Sequence, residues 1–232
     1  MKLKNARIEL TAEPAFCLEA DMKKIGKILK TYNIANKENL VGVAPSQAIA
    51  SYSKTSYNYH FKTLQNLIQF LIDELECHVV LIPHVREKSV EYDDRVICEL
   101  LYRKLDFPED VTVLSFDHPA EEIRALISKF DIIVAERMHA AISGLAQNVP
   151  AFAVGYSVKA EGIVGDIFGF NSLEDYIISI KNLDVELLKR RIKNLLDRKS
   201  EVAKYLSNIM PHIKEKARRN FTLTMEVLRQ NT

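Results

Sequence analysis

The stretch Asp131-Ile132-Ile133-Val134-Ala135-Glu136-Arg137-Met138-His139-Ala140-Ala141-Ile142-Ser143-Gly144-Leu145 decides the fold. It opens as an apolar run of strand length and continues as a helix of small residues. A strand that passes directly into a helix is the basic step of a parallel sheet, and in open sheets of this kind ligands bind in the crevice beyond the carboxyl ends of the strands. Arg137 and His139 stand at that step, where a helix N-terminus favours negative charge. The stretch therefore predicts an anionic ligand.

The same alternation extends in both directions. Strands are predicted at Leu40–Ala44, Val79–Pro83, Val111–Ser115, Asp131–Ala135 and Ala151–Val154, the third having the shorter apolar run. Four of them are nearly continuous apolar runs, as expected of strands covered on both faces. Helical patterns lie between them: Tyr57–Glu76, with Leu64, Leu67, Ile68, Leu71 and Leu75 on one stripe, then Tyr92–Lys104, Ala120–Phe130 and His139–Asn148. Right-handed crossovers put such helices on the sheet faces. The predicted fold class is α/β, a Rossmann-like parallel sheet with helices on both faces. Gly144, Ala140 and Ala141 are read as letting their helix approach the sheet. After the first strand, Val43-Ala44-Pro45-Ser46-Gln47 replaces the G-x-G-x-x-G fingerprint, so no dinucleotide cofactor is expected.

Three segments follow from the pattern. Residues 1–39, with one strand-like run at Ala6–Leu10 and one helix at Ala20–Tyr32, read as the remnant of an N-terminal domain and its linker. Residues 40–181 form the Rossmann-like, donor-binding domain, and residues 182–232 a charged helical segment whose last helix Pro211 should kink or break. Basic runs there, such as Lys189-Arg190-Arg191, are read first as a solvated helix face, with anionic lipid or a phosphorylated partner as the alternative.

Thirty-two basic against 31 acidic side chains leave no global field to attract nucleic acid or an acidic membrane. Three scattered cysteines, Cys17, Cys77 and Cys98, make neither a disulfide framework nor a zinc motif, which fits a reducing compartment. No apolar run reaches the roughly 18–20 residues of a membrane span or forms a signal peptide, so a cytoplasmic protein is expected.

Ala12-Glu13-Pro14-Ala15-Phe16, Leu81-Ile82-Pro83-His84, Asp93-Asp94-Arg95, Phe130-Asp131, Arg137-Met138-His139-Ala140 and Val149-Pro150-Ala151 followed by Gly155-Tyr156-Ser157-Val158-Lys159 occur in this order. Together they resemble the C-terminal half of the polysaccharide pyruvyl transferase family, from about Glu13 to Gly169. The resemblance implies a two-domain fold of the GT-B type with the active site between two Rossmann-like domains. It also implies transfer of a pyruvyl group from phosphoenolpyruvate to a pair of sugar hydroxyls in polysaccharide biosynthesis, with no cofactor and no metal. The sequence departs from the family at Glu13, which stands for an aspartate, and in lacking nearly all of the N-terminal domain. That departure implies a partner in the form of the missing domain or a separately encoded half.

Phosphoenolpyruvate carries a phosphate and a carboxylate, and the planar fork of Arg137 suits either. His139 is expected to handle the proton delivered to the methylene carbon, because histidine titrates near neutral pH. Lys159 is expected on the same rim as a compact charge for phosphate, with Tyr156 as a donor and His84 and Ser46 as further substrate-binding candidates. Structural readings compete with each of these. Arg137 pairs with Glu136 or a remote carboxylate, His139 bonds a backbone carbonyl, Lys159 is solvated and Tyr156 packs. Asp93 or Asp94 is most simply an N-cap. No G-x-S-x-G elbow surrounds Ser46, which disfavours a serine hydrolase, and His84, Asp93 and Asp94 lack a recognised metal spacing. Two other classes stay open: a nucleotide-sugar glycosyltransferase, which uses the same crevice, and a non-catalytic assembly module.

Overall fold

The computed structural model describes residues 8–53, 56–105 and 108–230. In chain order the elements are α1 (Ile25–Thr31), β1 (Leu40–Ala44), α2 (Ile49–Ser53), α3 (Tyr57–Asp73), β2 (His78–Leu81), α4 (Asp94–Lys104), β3 (Val111–Val113) and α5 (Ala120–Ile127). They continue with β4 (Ile132–Ala135), α6 (Met138–Ala146), β5 (Ala151–Gly155), α7 (Val158–Phe168), α8 (Leu173–Tyr176), β6 (Ile177–Ser179), α9 (Val185–Asp197) and α10 (Lys199–Gln230). All strand pairs are parallel, in the order β3-β2-β1-β4-β5-β6.

That order fixes where a ligand can sit. The chain builds outward from β1 through β2 to β3, then returns to lay β4 against the other side of β1, with Val43 beside Val134 and Ala44 beside Ala135. Loops leaving β1 and β4 diverge to opposite faces, and the crevice between them is the switch point at which open α/β sheets bind ligands. Strands β1, β2, β4 and β5 are buried along their whole length because helices cover both faces.

The five expected strands are present: β1 has the expected ends, β2 stops at Leu81, before Pro83, β3 stops at Val113, and β5 runs one residue further, to Gly155. A sixth strand, Ile177–Ser179, extends the sheet beside Ala153–Gly155 and escaped the sequence reading because three residues give no period to detect. The strand-like run at Ala6–Leu10 forms none over its described residues 8–10, and the rest of it lies outside the described residues. This segment instead lies along α10, where Glu9 pairs with Arg219 and the Ala12 carbonyl accepts from Asn220. The early helix starts at Ile25 rather than Ala20.

Pro211 does not end the last helix, which runs continuously through it. The proline is exposed, while Leu206, Met210, Ile213 and Ala217 stay buried on the opposite stripe. Packing of that stripe holds the helix together where the proline removes one backbone bond. The segments at 8–39 and 182–230 share one core with the sheet, through Phe16, Ile28 and Ile34 at one end and Leu188, Ile192 and Val202 at the other. Among the described residues, no helix is long and apolar enough to cross a membrane.

Helix α6 lies close on β4 because position 144 carries no side chain. A Cβ there would come within 2.6 Å of Ile133 Cγ2 and 3.3 Å of the Val149 carbonyl oxygen. A Gly→Ala change inside a helix ordinarily gains roughly 1 kcal/mol of propensity. Gly144→Ala should nevertheless destabilise the fold by about 1–2 kcal/mol through overpacking. Thermal melts followed by circular dichroism would read this, and an unchanged or raised Tm would show that this contact does not set the helix–sheet distance.

Candidate functional site

Beyond β4 and β5 a cavity of about 200 Å³ opens at the first turns of α6 and α7, and His84, Arg137, His139, Tyr156 and Lys159 all line it. The topology brings them there. Arg137 follows β4 after one residue, Glu136, Tyr156 follows β5 directly, and His84 follows Pro83 in the loop after β2. Two helices start at the cavity wall, and neither is capped by a side chain: Arg137 is the N-cap of α6 and Ser157 that of α7. Among the described residues the N–H groups of Met138 and His139 in α6, and of Val158 and Lys159 in α7, have no backbone partner, so the wall offers two partial positive charges to an anion. The convergence of α6 and α7, expected from Lys159 following the fifth strand, comes from β5 lying next to β4.

Arg137 is held in place rather than free. Its Nε and Nη2 donate to the two oxygens of Asp94 at 2.9 and 2.7 Å, and its side chain is 13% exposed. Asp94 is fully buried and also accepts from the backbone N–H groups of Gln47 and Val85, at 3.0 and 2.9 Å. Burial pushes the Asp94 carboxyl above its usual range, and the Arg137 bridge pulls against that shift. Among the described residues Nη1 of Arg137 is uncommitted, while Nε and Nη2 are anchored. The partner is thus the remote carboxylate, not Glu136. The N-cap of α4 is Asp93, which accepts from Arg95 N at 2.9 Å and chelates the Arg95 guanidinium.

Lys159 pairs with Glu13 at 2.7 Å, which joins the N-terminal segment to the start of α7. That segment is pinned from beneath by Arg124, a buried guanidinium that donates to the carbonyls of Leu18 and Ala15 and to Ser143 Oγ. His139 is exposed at the cavity mouth, and its ring has no partner among the described residues. His84 lies deeper, with its Nδ1 buried and unpartnered. Burial, reinforced by the positive charges of His139, Arg137 and Arg124, brings its pKa down to about 4. At neutral pH the cavity therefore contains a neutral imidazole with an open ring nitrogen.

Ser46 does not line the cavity. Its side chain is fully buried, its Oγ has no partner among the described residues, and its backbone N–H donates to Glu136 Oε2 at 2.7 Å. The other oxygen of Glu136 meets Nε2 of the buried His60, also at 2.7 Å. Sequence reading missed this network, since residues 46, 60 and 136 meet only through the sheet. Among the described residues no group of three or more His, Cys, Asp or Glu side chains is placed to hold a metal ion. A larger hollow of about 500 Å³ lies between α4 and β3, but its Asp93 and Arg95 satisfy each other and much of its wall is apolar.

Residues 1–158 match the family model Polysaccharide pyruvyl transferase, so the chain belongs to that family. The match ends one residue before Lys159. No match was found among curated proteins. Among solved structures, the chain is similar to a glycosyltransferase from Rickettsia africae ESF-5, with 15% identity, TM-score 0.59, 95% of this chain and 56% of that one. It is also similar to an alpha,alpha-trehalose 6-phosphate synthase from Burkholderia multivorans, with 11% identity, TM-score 0.58, 96% of this chain and 50% of that one. The N-terminal domain of a trehalose-6-phosphate phosphatase from Candida albicans matches at 12% identity and TM-score 0.51, over 93% of this chain and 49% of that one. These likenesses establish a GT-B-like, Rossmann-like fold, and the chain spans about half the length of each structure.

Two predictions follow from the geometry. Asp94→Asn removes the charge opposing Arg137 inside the fold and should cost about 3 kcal/mol or more in a urea titration, with the slope unchanged. A midpoint equal to the parent's would show that the bridge is not structural. His84 binds a proton more readily unfolded than folded, so its contribution is complete above pH 6.5 and is lost as pH falls from 6.5 towards 4. Wild type should lose on the order of 2 kcal/mol across that window from this residue. His84→Gln should flatten that part of the stability–pH curve, and identical curves would refute the assignment.

Proposed function

We propose that this member of the polysaccharide pyruvyl transferase family binds phosphoenolpyruvate in the cavity at the starts of α6 and α7 and contributes the donor half of a pyruvyl transferase. The observation that carries this reading is the meeting, in one cavity, of two uncapped helix N-termini with Arg137, Lys159, His139 and His84. A small acid with a carboxylate and a phosphate needs two separate anion contacts, and two helix starts supply them. Arg137, fixed by Asp94, offers its Nη1 edge to one group. Lys159 exchanges Glu13 for the other.

The chemistry then asks for a proton. Protonation of the methylene carbon makes an oxocarbenium-like centre at the neighbouring carbon, a sugar hydroxyl adds there, phosphate leaves, and the second hydroxyl closes the ketal. His139, exposed and unpartnered, carries the proton in this scheme, and Tyr156 donates to a substrate oxygen. Neutral His84 accepts or donates one hydrogen bond without adding charge. The acceptor is a glycan, and the other wall of the site comes from a second, N-terminal domain. Cys77 and Cys98 are buried free thiols, and burial pushes Cys77 up to about 11, so neither is reactive. We place the reaction in the cytoplasm, where such thiols stay reduced.

An assembly role has one observation of its own, the half-exposed stripe Phe221, Met225 and Leu228 on α10. It stands on the last turns of that helix rather than at the cavity, and so is compatible with the transferase reading. The nucleotide-sugar reading rests on fold likeness alone.

Binding of phosphoenolpyruvate, followed by phosphorus NMR, tests the proposal. Wild type should bind, Lys159→Ala should weaken binding about tenfold, and UDP should not compete. Phosphate release with a glycan acceptor and an N-terminal domain of the family should vanish in His139→Ala. Arg137→Ala is a poor control, because it strands the buried Asp94 charge. No binding, or tighter binding of UDP, would overturn the reading.

A further inference from the structure

Three tyrosines from three separate loops meet beside the cavity. Tyr52 lies in α2 after β1, Tyr92 lies in the loop between β2 and α4, and Tyr156 directly follows β5. They are 53%, 42% and 46% exposed, so their contact contributes little to the core. The ring centroids of Tyr52 and Tyr156 are 5.5 Å apart, and those of Tyr52 and Tyr92 are 6.4 Å apart with planes inclined by 28°. Leaving three neighbouring rings in water is unfavourable, and a contiguous exposed patch of this kind marks a ligand surface.

The surroundings define the ligand. Tyr156 lines the anion cavity, and Tyr92 lines a neighbouring hollow of about 420 Å³ together with Gln47, Ser51, Tyr57 and Glu91. Tyr52 bridges the two. The Gln47 side-chain oxygen Oε1 accepts from Tyr57 Oη at 3.2 Å, and the Gln47 backbone N–H is fixed by Asp94, so this edge is rigid. A sugar ring has an apolar face of C–H groups and an edge of hydroxyls. Aromatic faces, with their negative quadrupole, suit the first, and an amide and a carboxylate suit the second. Glu91 repels a phosphate but accepts from hydroxyls, so the hollow suits a neutral polyhydroxylated ring and not a second anion.

We propose that Tyr52, Tyr92 and Tyr156 form a stacking platform for a pyranose ring of the acceptor glycan, which lays its hydroxyls at the mouth of the donor cavity. This rests on the transferase reading for the identity of the glycan, but the platform itself can be tested without donor. Saturation-transfer NMR with lactose and with methyl β-galactopyranoside as probes should show transfer to ring C–H protons in wild type. Binding should fall about two- to tenfold in Tyr52→Ala and Tyr92→Ala, and persist in Tyr52→Phe.

Equal transfer to Tyr52→Ala, no transfer to either pyranoside, or displacement of the sugar by UDP would overturn the platform, the last because a nucleobase would then be its occupant. Phosphoenolpyruvate titrated into the same variants should bind as in wild type. If phosphoenolpyruvate fails to bind any of them while sugar transfer still depends on Tyr52, the platform is supported and only the donor reading falls.

Discussion

One buried carboxylate holds the functional edge of the molecule together. Asp94 accepts from Gln47 N after β1, from Val85 N after β2 and from the Arg137 fork after β4, so three loops that diverge at the switch point are tied to a single group. Each oxygen receives a backbone N–H and one arm of a guanidinium, which is what a buried carboxylate needs if its desolvation is to be offset. Glu136 repeats the device one layer away, joining Ser46 N to His60. The loops at the site are therefore not free connections. Their backbone positions are set by two buried carboxylates, Asp94 and Glu136.

This has an electrostatic consequence. The sequence presents Arg137 and Lys159 as open cations, but the folded site pairs each with a carboxylate, Asp94 and Glu13. The cavity is thus close to balanced before a ligand enters, and what it offers an anion is mostly fixed dipoles. The uncapped starts of α6 and α7 cannot be neutralised by a side chain rotating away, whereas the exposed Lys159 can exchange partners at little cost. Arg137 serves orientation as much as charge, since the bond to Asp94 fixes its plane. A neutral His84 in the cavity wall adds hydrogen-bonding capacity without deepening the positive potential, because its own burial and then the neighbouring cations keep the proton off.

The sheet was legible because burial on both faces writes itself into composition. Leu40–Ala44 and Ile132–Ala135 are apolar runs with no other explanation, and Arg137 and His139 follow the second of these by sequence alone. Ile177–Ser179 was not legible, since its pairing with β5 is supplied by neighbours and not by a local pattern. Pro211 was misleading for a related reason. Local chemistry says the helix stops, but a buried stripe from Leu206 to Ala217 continues through it and prevails. Ser46 looked available at the end of a strand, yet the loop turns it inward so that its N–H can satisfy Glu136. In each case a contact with a residue far along the chain decided the outcome.

The same logic explains why the tyrosines could not be read as a group. Tyr52, Tyr92 and Tyr156 are far apart in sequence, and each alone is an ordinary loop aromatic. They converge because β2, β1 and β5 end at one edge of the sheet and because Asp94 draws the first two loops together through Gln47 N and Val85 N. The anchor that fixes Arg137 thereby also helps to place the aromatic rim, so the cavity and the rim are two faces of one loop arrangement. A change at Asp94 should disturb both together, whereas a change at Tyr52, outside the bonded network, touches only the rim.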